Sequence, residues 1–437
     1  MKPNTLYTIV MIVAFSVLSA CESGDSGSES NFTGTSQEAL ADTSAYVSGS
    51  RWASSLKPCA LAKNEGDACS LNRLPLIGME NTQPSVADIL DRTLVSHEWM
   101  GQRLEELLTT LPDEILLLTR SLTAIVIDDD IRPAYYDVNT GAIYIDPNFL
   151  WLTVEEARTI NPQDDFRSEF TRPLNFRSFF RYVKDDEQAY IFRSPDQATE
   201  RSLTDIEYLF ASLFIHELAH ANDFFPSSTH AQINADQKPW PAASSQRDDW
   251  VATRLANSQS LASQTMLGLA KVMYLGETAS ESQIALSAAE VGSEFEPDGA
   301  ADTYGYSTSR EDLAMLFEEA MMYHLFGVER DLAFVSASSN ESPTCNDYQI
   351  GWGSRMRVAT SQVSTRAQFV VEQIIPELDS QALFSTLPET RSLPDNTDWC
   401  NSVGFEGPDA EAALQKPHLN HPHTHTSRMV EPMPFYR

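Results

Sequence analysis

The chain is predicted to be an α+β protein with a small mixed sheet and a long helix carrying two histidines four residues apart. Three stretches predict this class. Residues 122–127 form a short apolar run rich in β-branched side chains. Residues 133–147 place Tyr135, Tyr136 and Val138 before Asn139-Thr140-Gly141, with Ile143 and Ile145 after it, which reads as a hairpin turning at those three residues. Between 202 and 226, Ile206, Leu209, Phe210, Leu213 and Phe214 recur at helical spacing. Ser202 or Thr204 can cap that helix and Pro226 ends it. A further helix is expected from about residue 309, where Ser309 and Asp312 suit a capping box. Leu313, Leu316, Phe317 and Met321 continue it, and Gly327 can terminate it.

The first helix contains His216-Glu217-Leu218-Ala219-His220. Histidines at i and i+4 lie one turn apart on one helix face, so both imidazoles can reach one Zn²⁺, with Glu217 beside the metal as a general base. This pattern points to a metallopeptidase. Asp223, at i+7 from His216, shares the face and is placed to orient one of the histidines, or else to cap the helix end. A catalytic zinc takes three protein ligands and leaves one position open, so one ligand is still to be found. Glu311, Glu318, Glu319, Asp223 and His230 are the candidates. Glu318 falls two turns from Glu311 on nearly the same face, whereas His324 points away.

Residues 216–223, His-Glu-Leu-Ala-His-Ala-Asn-Asp, resemble the motif helix of the gluzincin metallopeptidases. The likeness is to the family of the anthrax toxin lethal factor catalytic domain. Tyr304-Gly305 followed by Glu311-Asp312-Leu313-Ala314-Met315-Leu316-Phe317 resembles that family's second signature, although Met315 stands where the signature has an acidic residue. The 220–304 interval is also longer than the family's. The resemblance covers about 25 residues and implies a zincin-like fold, Glu311 as third zinc ligand and Tyr304 as the hydroxyl that steadies an oxyanion, with Tyr306 the substitute. Zinc on His216, His220 and Glu311 would polarise a peptide carbonyl and acidify a water, while Glu217 moves the proton to the leaving amine. The expected substrate is a peptide or protein. The alternative is a non-catalytic lipoprotein of the envelope that binds metal or protein on the same fold.

The N-terminus indicates where this chemistry takes place. Lys2 precedes an apolar stretch from Leu6 to Leu18, the length of an export signal rather than a spanning helix. Leu18-Ser19-Ala20-Cys21 resembles the lipobox of bacterial lipoproteins, which implies lipidation at Cys21 and a membrane anchor. By the same analogy, Glu22 in place of Asp suggests outer-membrane sorting, with the body on the periplasmic or surface face. Residues 21–50, rich in Ser, Gly, Thr and acids, are expected to be a flexible tether, 51–400 the catalytic body and 401–437 a tail. His418, His421, His423 and His425 lie in that tail, where loose metal binding competes with a plain polar segment.

With Cys21 set aside, Cys59, Cys69, Cys345 and Cys400 remain, and Cys59–Cys69 with Cys345–Cys400 is the simplest of three disulfide pairings. The net charge of −32 argues against a nucleic-acid partner and against electrostatic docking on anionic lipid. Glu294, Glu296 and Asp298 lack a full calcium-loop signature and read as a solvated run.

Overall fold

The computed structural model describes residues 39–404 apart from 163–169, 194, 196–197 and 341–342. Cys21 and the four C-terminal histidines therefore lie outside the described residues. The class is α+β as expected, but the strands among the described residues form two five-stranded sheets rather than one small one.

The first sheet is mixed and runs in the order β1 (Ser44–Ala45), β2 (Thr93–Val95), β3 (Ala124–Ile127), β5 (Ala142–Ile145) and β4 (Tyr135–Asp137). β2, β3 and β5 are parallel, and the outer strands β1 and β4 are antiparallel to their neighbours. β3 is buried along its whole length, which is why it reads as an unbroken apolar run. The predicted hairpin forms. Gly141 takes φ +71, and a Cβ there would lie 2.8 Å from the Thr123 side chain, so the turn needs glycine on both counts.

Alternation sorts the strands onto two cores. Ile125, Ile127, Tyr136, Ile143 and Ile145 face the main core, which includes Leu209, Phe210, Leu213 and Phe214 of the motif helix (Leu203–Phe224). Ala124, Val126, Tyr135, Ala142 and Tyr144 face a smaller cluster with Leu40, Leu56 and Cys59. The Cys59–Cys69 disulfide forms on that side. Cys400 is also disulfide-bonded, while the side chain of Cys345 lies outside the described residues.

The second sheet is antiparallel, in the order β10 (Arg391–Ser392), β9 (Ile350–Arg355), β8 (Glu329–Ser336), β6 (Phe176–Lys184) and β7 (Glu187–Gln188). Its charged side chains hide the strand pattern. Arg181 of β6 sits opposite Asp331 of β8 and donates to it at 2.9 Å, and Arg355 of β9 donates to the same carboxylate. All three are buried.

Both ends of the folded body lie outside the expected limits of 51 and 400. Leu40 is fully buried, β1 pairs with β2, and the Tyr46 amide donates to the Thr93 carbonyl. Residues 39–50 are thus part of the body: although polar overall, they carry Leu40 and Tyr46, which have places to pack. At the other end, Arg181 donates to the Trp399 carbonyl and the Ser402 hydroxyl, and Arg355 to the Val403 carbonyl. No described helix is long and apolar enough to cross a membrane.

Candidate metal centre

The motif helix begins with a capping box of Ser202 and Asp205, and every residue from Leu209 to Phe224 is buried. A helix apolar on nearly all sides is a core helix, so His216, Glu217 and His220 are carried fully into the interior. The second helix, Ser309–Phe326, packs against it. Its cap differs from expectation. The side chain of Thr308, not Ser309, accepts the Glu311 amide at 3.1 Å. Asp312 is instead taken by Arg366, whose Nη1 lies 2.9 Å from Oδ1, while its Nη2 bonds Oδ2.

This start places Glu311 over the histidines. Its Oε2 lies 3.1 Å from His216 Nε2 and 3.4 Å from His220 Nε2, and the three donors fall within 4.8 Å of one another. Neighbouring ligands of a tetrahedral metal stand about 3.4 Å apart, so the two spacings to Glu311 suit three donors gathered on one metal ion. Charge agrees. Three buried carboxyls, Glu217, Glu311 and Glu318, surround two imidazoles, so the cluster lacks positive charge unless it is protonated or holds a cation. Among the described residues no other set of three His, Cys, Asp or Glu donors converges in this way.

The titration of the metal-free cluster reflects the same shortage. Burial disfavours the His216 imidazolium, yet bonds to Glu311 and Glu318 outweigh it and raise the pKa to about 10. Burial also opposes ionisation of Glu311, but the two histidines hold it down at about 2. His220 is lowered by burial, and Glu217 is pushed well above the usual carboxylate range by burial. Neither Glu217 oxygen has a well-formed hydrogen bond, and the nearby backbone amide of Tyr136 on β4 favours its ionised form without offsetting burial.

Tyr304 lies in the turn Thr303–Tyr306, its ring 6.3 Å from the His216 ring and stacked with it. The turn is fixed by Asp302, which accepts the Tyr304 amide at 2.7 Å and Arg330 Nη2 at 2.6 Å. Gly305 lets the turn lie close to the helix start, since a Cβ there would come within 3.1 Å of Asp312 Cα, tighter than an ordinary contact. Tyr306 is otherwise engaged, since its hydroxyl donates to Asp298 at 3.0 Å. Asp298 also accepts the amides of Ala262, Ser263 and Gly299, so it is a buried structural acid rather than a solvated one.

Asp223 is expected to orient His216 or His220, or else to cap the helix end, and at His216 the partner of Nδ1 is another acid. Asp223 Oδ1 accepts the Ala252 amide at 2.9 Å at the start of the helix Val251–Ser258, and Oδ2 lies 3.8 Å from Arg310 Nε. Burial raises its pKa to about 6 against the pull of Arg310. The group that meets His216 Nδ1, at 3.0 Å, is Glu318. The long 220–304 interval is filled by helices, including Val251–Ser258, Gln264–Leu275 and Ala288–Phe295, which pack against the site's own elements. Trp250 sits edge-on to Phe224 at 4.9 Å.

No family model, curated protein or solved structure shows a significant match to this chain. The reading of the site therefore rests on its own chemistry.

Proposed function

We propose that the chain is a zinc-dependent peptidase of gluzincin type on a zincin-like body, exported and held at the cell envelope by lipid on Cys21. The observation that carries this reading is the meeting of His216 Nε2 and His220 Nε2 on one Glu311 oxygen, with the unpartnered Glu217 carboxylate on the same helix. When bound there, zinc supplies Lewis acidity toward a peptide carbonyl and toward water.

The protein's own groups do the rest. Glu217, with its affinity for protons raised by burial, is suited to take a proton from the attacking water and deliver it to the leaving amine. Tyr304, whose ring stacks beside that of His216, is the group suited to donate to the developing oxyanion. β4 is the outer strand of the first sheet and its Tyr136 amide faces Glu217, which favours an extended peptide laid beside that edge.

A second reading, an envelope lipoprotein that binds metal or protein without turnover, draws on one observation: Glu217 and both histidines are sealed from solvent. A peptide reaches Glu217 only after the surrounding elements part. The test is cleavage of a broad peptide library by the full-length protein, with Tyr304→Phe in parallel. The expected result is chelator-sensitive cleavage that falls about a hundredfold in the variant, the weight of one oxyanion donor. Equal cleavage by both removes Tyr304 from the chemistry, and no cleavage by the wild type favours the second reading.

A further inference from the structure

We propose that Glu318 is the positioning residue of this centre, held in turn by Tyr182; the inference rests on the zinc reading above. His216 lies between two carboxylates of one helix. Its Nε2 faces Glu311 at 3.1 Å and its Nδ1 faces Glu318 at 3.0 Å. The two glutamates are seven residues apart, about 10.5 Å along the helix and nearly on one face. Position 315, one turn from Glu311, is a buried methionine packed in the main core and offers no acceptor.

The second oxygen of Glu318 accepts the Tyr182 hydroxyl at 2.9 Å. Tyr182 stands on β6 of the antiparallel sheet and is buried. Glu318 thus fixes the ring's rotation and holds a proton on Nδ1, so that Nε2 is the nitrogen turned toward Glu311 and left for a metal. Tyr182 ties that orientation to the second sheet. A ligand's partner of this kind commonly changes metal affinity by 10–100-fold when removed.

The experiment uses full-length wild type, Glu318→Gln and Tyr182→Phe, each freed of metal. Zinc affinity is measured by chelator competition, and cobalt-loaded protein is recorded in the visible. The nitrogen shifts of His216 in the zinc-saturated protein report whether Nδ1 keeps its proton toward Glu318. The expected result for Glu318→Gln is a 10–100-fold weaker zinc complex, an altered cobalt spectrum at saturation and a changed Nδ1 shift. Tyr182→Phe, which leaves the carboxylate in place, should weaken zinc several-fold and keeps the idea testable if the glutamine variant does not fold. A wild type that binds zinc beside a Glu318→Gln protein with equal affinity and the same cobalt spectrum overturns the role of Glu318 alone. A wild type that binds no zinc overturns the function proposed above, and this inference with it.

Discussion

Replacing Glu217 by Gln is expected to lower peptide hydrolysis by about 10²–10⁴-fold while zinc stays bound, the range for loss of a general base. The substitution keeps the side chain's size in a fully buried position and removes only its capacity to take a proton. It also removes a buried carboxyl whose ionisation is opposed by its surroundings, so the variant should be no less stable than the wild type. The measurement is steady-state cleavage of a peptide that the wild type cuts, with zinc content determined on the same samples. Cleavage by the variant at the wild-type rate would assign the base to another group. A wild type as inactive as the variant would favour the binding protein over the enzyme.

The largest effect on stability is expected at Arg366. Its guanidinium donates to both oxygens of Asp312 and to the carbonyls of Gly299 and Gln259, all beside the first turn that presents Glu311. Burial pushes the Asp312 carboxyl up even with Arg366 present, so the pair is not in itself strongly stabilising. Removing one partner is a different matter, because it strands a buried acid. Arg366→Met is therefore predicted to cost about 3–5 kcal/mol, read as a lower urea midpoint. Asp312 also touches the Tyr304-Gly305 turn through the close approach at Gly305, so zinc affinity should fall as well. A midpoint within error of the wild type would show that the turn is held by something else.

The elements built from local signals were legible in the sequence. Helical spacing and Pro226 located the motif helix, Gly141 located the hairpin turn, and Gly327 located the end of the second helix, where it takes φ +62. The three donors that meet were also readable, two from their spacing and Glu311 through the resemblance. What escaped depends on partners far along the chain. β6 contains Arg177 and Arg181, and its pattern makes sense only once Asp331, 150 residues on, is placed opposite Arg181. Asp223 shares a face with the histidines, as i+7 spacing dictates, but the amide of Ala252 claims it. Glu318 was visible as a same-face acid. Its contact with Nδ1 rather than the metal side depends on the rotation of the His216 ring, which no spacing rule gives. Asp302 and Arg330, which fix the Tyr304 turn, carry no local signature at all.

The proposed peptidase chemistry requires a metal held by His216, His220 and Glu311. Its most direct test is the zinc content of the purified full-length protein and of Glu311→Ala, measured side by side. One zinc per chain in the wild type, lost or much weakened in the variant, is the predicted result; a wild type that holds no zinc would contradict the account, and full retention by the variant would place the third ligand elsewhere.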